Sequence, residues 1–245
     1  RRPARPRRPV PRRPREAVHV DQHEDDAEPV VEGAQGGGHV AVEVGVDDGL
    51  VGGAGPGRAD EEGDVVLAGD PPRPYAVIYG ERMTAWLERL VPDASDALRI
   101  AVRGQHIRRF DRPRSEFPMD KPGYFAWRNR LKDHHADLIA GIMTEVGYGE
   151  DDVSRARSIV RKERLKRDPD AQALEDCACL VFLEQEFAPF AARHEDDKIV
   201  DIVAKTWIKM SAAGHAAAVA MVPALPERLQ RLVGQAVAAA GERRD

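Results

Sequence analysis

From Tyr75 to Ala240 apolar side chains return every three or four residues, the spacing that lines one face of an α-helix. Nowhere in that stretch do they alternate as a half-buried strand requires. The chain after residue 73 therefore reads as all-α, one multi-helix domain over 74–245. Val77–Leu90 sets Met83, Trp86, Leu87 and Leu90 on one face, and Ser95 or Asp96 caps a second helix expected to run to about Phe110. The polar, proline-rich stretch that follows is a loop, and Pro122 suits the first turn of a long helix reaching about Val146. A basic helix is expected over Asp151–Leu165, and Pro169 opens the next, with Ala173–Phe190 as its apolar continuation, bent or ended near Pro189. Asp196–Ser211, Ala212–Met221 and Pro226–Ala240 complete the series. Cys177–Leu183 is apolar on every side, which puts its helix at the centre.

Ahead of this domain the composition breaks. Arg1–Arg73 uses only ten residue types, with no Lys, Ser, Thr, Asn, Ile, Phe, Tyr, Trp, Met or Cys. The ten are those whose codons can begin with G or C, the outcome when GC-rich DNA is read in a wrong frame. We read residues 1–73 as a low-complexity, disordered segment and a frame artefact. Taken at face value, its first fifteen residues, with eight Arg and five Pro, form a basic arm suited to phosphate contacts.

The segment holds ten Arg and fifteen acids, which accounts for the whole chain's charge of −5 and leaves 74–245 neutral. A neutral domain counts against nucleic-acid binding, which favours a basic footprint. No apolar run reaches the roughly 18–20 residues of a membrane span, and we expect a cytoplasmic protein with no membrane partner. Cys177 and Cys179 lie two apart on a helix, about 200° around its axis, so they cannot pair and read as small core residues.

Three residues could carry chemistry. His135 sits in the apolar stripe of the long helix, with Leu131, Leu138, Ile139 and Ile142 around it. Asp176 heads the central helix on the face of Cys179, Leu180 and Leu183, and a carboxylate facing a core needs a partner. His106 comes from the second helix. His106, His135 and Asp176 could meet at a divalent metal, as inward side chains of facing helices do in bundles. The alternative is a buried polar network, with each histidine hydrogen-bonded in the core and Asp176 capping or pairing with Arg82, Arg103 or Arg161. Arg82, Arg108, Arg109, Arg161 and Lys162 are the candidate anion-binding groups, since guanidinium forks suit phosphate. Trp86 and Trp127 stand at core spacing with Leu and Met, and could also serve as stacking platforms.

The strings "YGERMTAWLERLVPDASDALRIAVRGQHIRRF", "PRSEFPMDKPGYFAWRNRLKDHHADLIAGIMTEVGY", "LEDCACLVFLEQEFAPFAARH" and "KTWIKMSAAGH" resemble the domain-of-unknown-function family numbered 4202, from about Tyr75 to Met221. A deeper similarity is to degenerate HD-type phosphohydrolase domains, in which successive helices give His, then His-Asp, often His, and a late Asp. That resemblance implies an HD-like fold and sets His106, His135 and Asp176 at family positions. Here Glu81 and Arg82 stand where the first His is expected, and Ile107 replaces the Asp of the doublet. The reading that follows is an HD-like domain binding a phosphorylated or anionic small ligand. As an enzyme it would be a metal-dependent phosphoester or nucleotide hydrolase, with Glu175 as general base. The alternative is a non-catalytic, metal-free binding or scaffolding module.

Overall fold

Two adjacent acids, Glu175 and Asp176, sit in the central helix, and the structure is organised around them. The computed structural model describes residues 67–69, 71 and 73–242. The expectation of disorder over 1–73 falls almost entirely outside the described residues. Among those described, a two-residue antiparallel pair, β1 (Leu67–Ala68) with β2 (Arg73–Pro74), leads into α1 (Tyr75–Leu90). A pair this short leaves no alternation to read in the sequence. It straddles the compositional border at residue 73, and Arg73 grips Glu81 of α1 through both guanidinium nitrogens, at 3.1 and 2.7 Å.

Then come α2 (Asp96–Arg103), α3 (Lys121–Glu145), α4 (Glu150–Val160), α5 (Pro169–Val181), a π turn over Phe182–Glu186, α6 (Phe187–Ala191), α7 (Asp196–Lys209), α8 (Ala212–Met221) and α9 (Glu227–Glu242). Their starts follow local chemistry. Ser95 Oγ accepts from Leu98 N at 3.2 Å, and Asp120 Oδ1 accepts from Gly123 N at 2.7 Å. Asp168 caps α5 through the amides of Asp170 and Ala171. Arg155 of α4 clamps the same carboxylate at 2.5 and 2.7 Å and holds it well below the usual carboxylate range.

Two helices end earlier than their sequence suggests. The second stops at Arg103 rather than near Phe110, because Gly104 closes it against α3. A Cβ on Gly104 would lie 2.7 Å from Ile139 Cδ1, so a larger residue there would push the Ile139 side chain aside. The fourth stops at Val160 rather than Leu165. Lys162, Arg164 and Lys166 then take left-handed φ values of 56°, 54° and 77°. Such residues cost on the order of 1–3 kcal/mol each and persist only where their surroundings fix them. Here Lys162 Nζ bonds Glu175 at 2.5 Å, and Lys166 Nζ caps the end of α7 through the carbonyls of Ile208 and Lys209. The expected bend near Pro189 takes the form of the π turn, which widens the helix where proline would clash with the carbonyl four residues back.

Helix α5 packs against α1, α2, α4, α7 and α8, and Leu174, Cys177, Leu180 and Val181 have no exposed surface. Its two buried acids, Glu175 and Asp176, are 2% and 3% exposed, so both must find partners inside. Asp176 Oδ1 accepts from Ser211 N at 2.8 Å and from Gln172 Nε2 at 2.9 Å, while Oδ2 accepts from Ser211 Oγ at 2.5 Å. The carboxylate thus sits at the N-terminus of α8, where unpaired amides favour negative charge. Gly214 is part of the fit, since a Cβ there would come within 2.9 Å of Asp176 Cγ.

Removing Asp176 should therefore unpick the α7–α8 corner. Asp176→Ala is expected to lose about 1–3 kcal/mol in urea unfolding, and Asp176→Asn less, because the amide keeps one acceptor. Gly214→Ala should also destabilise; an Asp176→Ala midpoint equal to the parent's would remove this role.

Candidate functional site

A cleft forms where α3 faces the turns that follow α2 and α4. From α3 come Arg128, Lys132 and His135, at i, i+4 and i+7, one helical face, with Leu131 among them. The turn after α2 gives Gln105, His106 and Arg109, and the end of α4 gives Val160 and Lys162. The cleft is open to solvent, and its interior has about 20 Å³ of room, space for about one water or one oxygen of a group held at the mouth. Among the described residues its lining has four cationic side chains and no carboxylate.

The histidines are held in different ways. His106 stacks on Tyr79, ring centroids 4.1 Å apart and planes 13° from parallel, and Tyr79 Oη donates to Gln105 Oε1 at 3.4 Å. His135 Nδ1 lies 2.7 Å from the Ile107 carbonyl. A carbonyl only accepts, so Nδ1 carries the proton and Nε2 of the neutral ring carries a lone pair. That Nε2 has no hydrogen-bond partner among the described residues, although His135 is only 3% exposed. Burial, followed by the neighbouring Arg109, pushes the His135 imidazolium down to about 3, against the pull of its bond to Ile107. His106 is held well below its ordinary value by burial, then by Arg109 and His135. Both rings are neutral amid positive charge.

Arg109 owes its position to Trp127. Its guanidinium lies 4.7 Å from the Trp127 ring centroid, and the indole N–H donates to the Arg112 carbonyl at 2.8 Å, fastening the 109–112 turn to α3. Trp127 is thus a core residue that also carries a cleft arginine. Trp86 is a core residue whose indole donates to Glu184 at 3.1 Å.

Of the residues singled out in the sequence, His106, His135, Arg109 and Lys162 meet at the cleft. His106 and His135 stand 6.1 Å apart between ring centroids. Asp176 is not brought to them; it holds the α8 N-terminus instead. No group of three His, Cys, Asp or Glu among the described residues could hold a metal ion. Glu175 lies between Lys162 at 2.5 Å and Lys209 at 3.8 Å. Arg108 pairs with Asp111 at 3.0 Å, and Arg161 with Asp133 at 2.9 Å and Asp137 at 3.5 Å. Arg82 acts on Tyr75 and Glu186, away from the lining. Sequence reasoning missed Arg128 and Lys132. Their spacing from His135 was the available signal, one face of one helix.

The model of one family, described as a domain of unknown function (DUF4202), matches residues 58–233. The match begins ahead of the compositional border at residue 73 and runs into α9. No curated protein and no solved structure matches the chain, so neither comparison supports the HD resemblance. Among the described residues no helix is long and apolar enough to cross a membrane.

A further buried acid, Glu186, lies at the π turn. Tyr75 Oη donates to Glu186 Oε1, while Oε2 has no partner among the described residues. Burial pushes the Glu186 carboxyl up to about 7, against the pull of Tyr75 and Arg82. A raised folded pKa means this group's contribution is complete below 4.5, its ordinary value, and is lost as pH rises through about 7. The loss is on the order of 3 kcal/mol. His135 has the opposite sign: stability is present above 6.5 and lost as pH falls toward about 3. Glu186→Gln should remove only the first effect. Urea unfolding is therefore expected to show stability climbing more between about pH 5 and pH 7.5 in the variant than in the parent. Parallel profiles would show that Glu186 ionises freely in the fold.

Proposed function

We propose that this chain, which belongs to the DUF4202 family of domains of unknown function, binds a small oxyanion, phosphate or a phosphorylated molecule, in the cleft between α3 and the turns after α2 and α4. The observation that carries the reading is the lining itself, which among the described residues holds Arg109, Arg128, Lys132 and Lys162 and no carboxylate. Cations gathered with low-dielectric walls raise the local concentration of anions, and guanidinium forks match the geometry of phosphate oxygens. Lys162 shares Glu175 with Lys209, so two lysines surround one carboxylate and the group stays positive overall.

The reading is of binding rather than turnover. Glu175 and Asp176 are engaged by lysines and by the start of α8, so neither is placed to act as general base, and no other described carboxylate lines the cleft. The same cations that favour an oxyanion oppose a divalent metal at His106 and His135. This is the metal-free alternative of the sequence reading, with a small anion as the ligand.

Titration calorimetry of the full chain with inorganic phosphate and pyrophosphate tests it. Arg128→Gln and Lys132→Gln are each expected to weaken binding by about 10-fold or more, the size of a lost charge-assisted hydrogen bond. Arg161→Gln, whose guanidinium is occupied by Asp133 and Asp137, should bind as the parent does. Rising salt should weaken the parent's binding. No heat and no thermal shift with either anion, from a folded parent, would overturn the reading.

A further inference from the structure

The cleft holds one group that an ordinary anion site does not need. A basic pocket gathers donors, because every oxygen of a fully deprotonated oxyanion can only accept. Among these donors the structure places an acceptor. His135 is buried, its Nδ1–H is committed to the Ile107 carbonyl, and its Nε2 is left without a partner among the described residues while the side chain lines the cleft. A buried acceptor beside an anion needs a proton from somewhere.

We infer that His135 is a specificity-determining residue, whose Nε2 makes the cleft prefer an oxyanion that carries a proton, phosphate, over one of the same charge and shape that carries none, sulfate. The inference rests on the reading of the cleft as an oxyanion site. The phosphate P–OH donates to Nε2 while its remaining oxygens accept from Arg109, Arg128, Lys132 and Lys162. Sulfate presents only lone pairs, so it leaves Nε2 facing another acceptor. The ring could meet sulfate only by taking a proton from solvent, and burial and Arg109 oppose that. A phosphomonoester behaves as phosphate does below its second pKa of about 6 and as sulfate does above it.

The test is calorimetric competition on the full chain at about pH 8, where phosphate and sulfate are both dianions and differ by one proton, at constant ionic strength. Phosphate is expected to bind between about tenfold and a hundredfold tighter, the cost of leaving a buried acceptor unmet. In His135→Phe, which keeps the ring's shape without its lone pair, the two affinities should converge by loss of phosphate binding, with sulfate affinity held. If that variant does not fold, the parent gives the second measurement. Its affinity for methyl phosphate relative to inorganic phosphate should fall as pH rises through about 6. Sulfate binding as tightly as phosphate, or a ratio to methyl phosphate that ignores pH, would overturn the role of His135 and leave the oxyanion site standing. Neither dianion binding would overturn the site and this inference together.

Discussion

Burying Glu175 and Asp176 side by side in the central helix is the constraint on which the other elements depend. Two carboxylates at 2–3% exposure are each costly unless paired. Being adjacent on a helix, they point about 100° apart and so cannot share a partner. Glu175 draws in Lys162 from the turn after α4 and Lys209 from the end of α7. Asp176 takes the first turn of α8 through both the amide and the hydroxyl of Ser211. Three of the helices around α5 are thereby positioned by two side chains, on top of the non-directional packing of the core.

The same arrangement makes the cleft. Lys162 reaches Glu175 from a left-handed backbone, and that conformation is held from outside. Arg155 and Asp168 tie the turn's far side to α5, and Lys166 ties its middle to the end of α7. A segment of alternating left-handed residues needs such over-determination to persist. One consequence is that Lys162 stands in the cleft wall opposite α3, where it adds to the charge of Arg128 and Lys132. Stability of the α4–α5 corner and electrostatics of the cleft are consequences of one turn.

Most of the fold was legible in the sequence because helix period and capping are local. Ser95, Pro122 and Pro169 mark helix starts that the structure bears out, α8 begins and ends where its small residues do, and the all-apolar stretch after Cys177 belongs to the central helix. The inward face of His135 followed from its neighbours at three, four and seven residues. What was not legible depends on residues distant in the chain. Gly104 packs against Ile139 of α3, and Asp176 caps a helix 35 residues later; neither partner leaves a mark at the site. The basic residues nearest His106 in sequence drew attention to Arg108 and Arg161, whereas folding gives those two to Asp111 and Asp133. Arg128 and Lys132 were readable, as the turns of α3 that precede His135.

The chemistry of His106 and Ile107 turns on the early end of α2. Had the helix continued to Phe110, the carbonyl of Ile107 would have belonged to the helical ladder. Released at Gly104, the chain turns, and Ile107 sends its apolar side chain toward the core and its carbonyl to His135 Nδ1. The backbone of that residue, not its side chain, thus decides which nitrogen of His135 is protonated. An acidic residue at position 107 would introduce a negative charge beside a cleft whose lining is otherwise cationic or neutral, and would weaken its field for anions. Isoleucine keeps the field positive and leaves the carbonyl free to set the tautomer. The result is a neutral acceptor at Nε2 in the midst of arginine and lysine, an arrangement suited to telling one oxyanion from another.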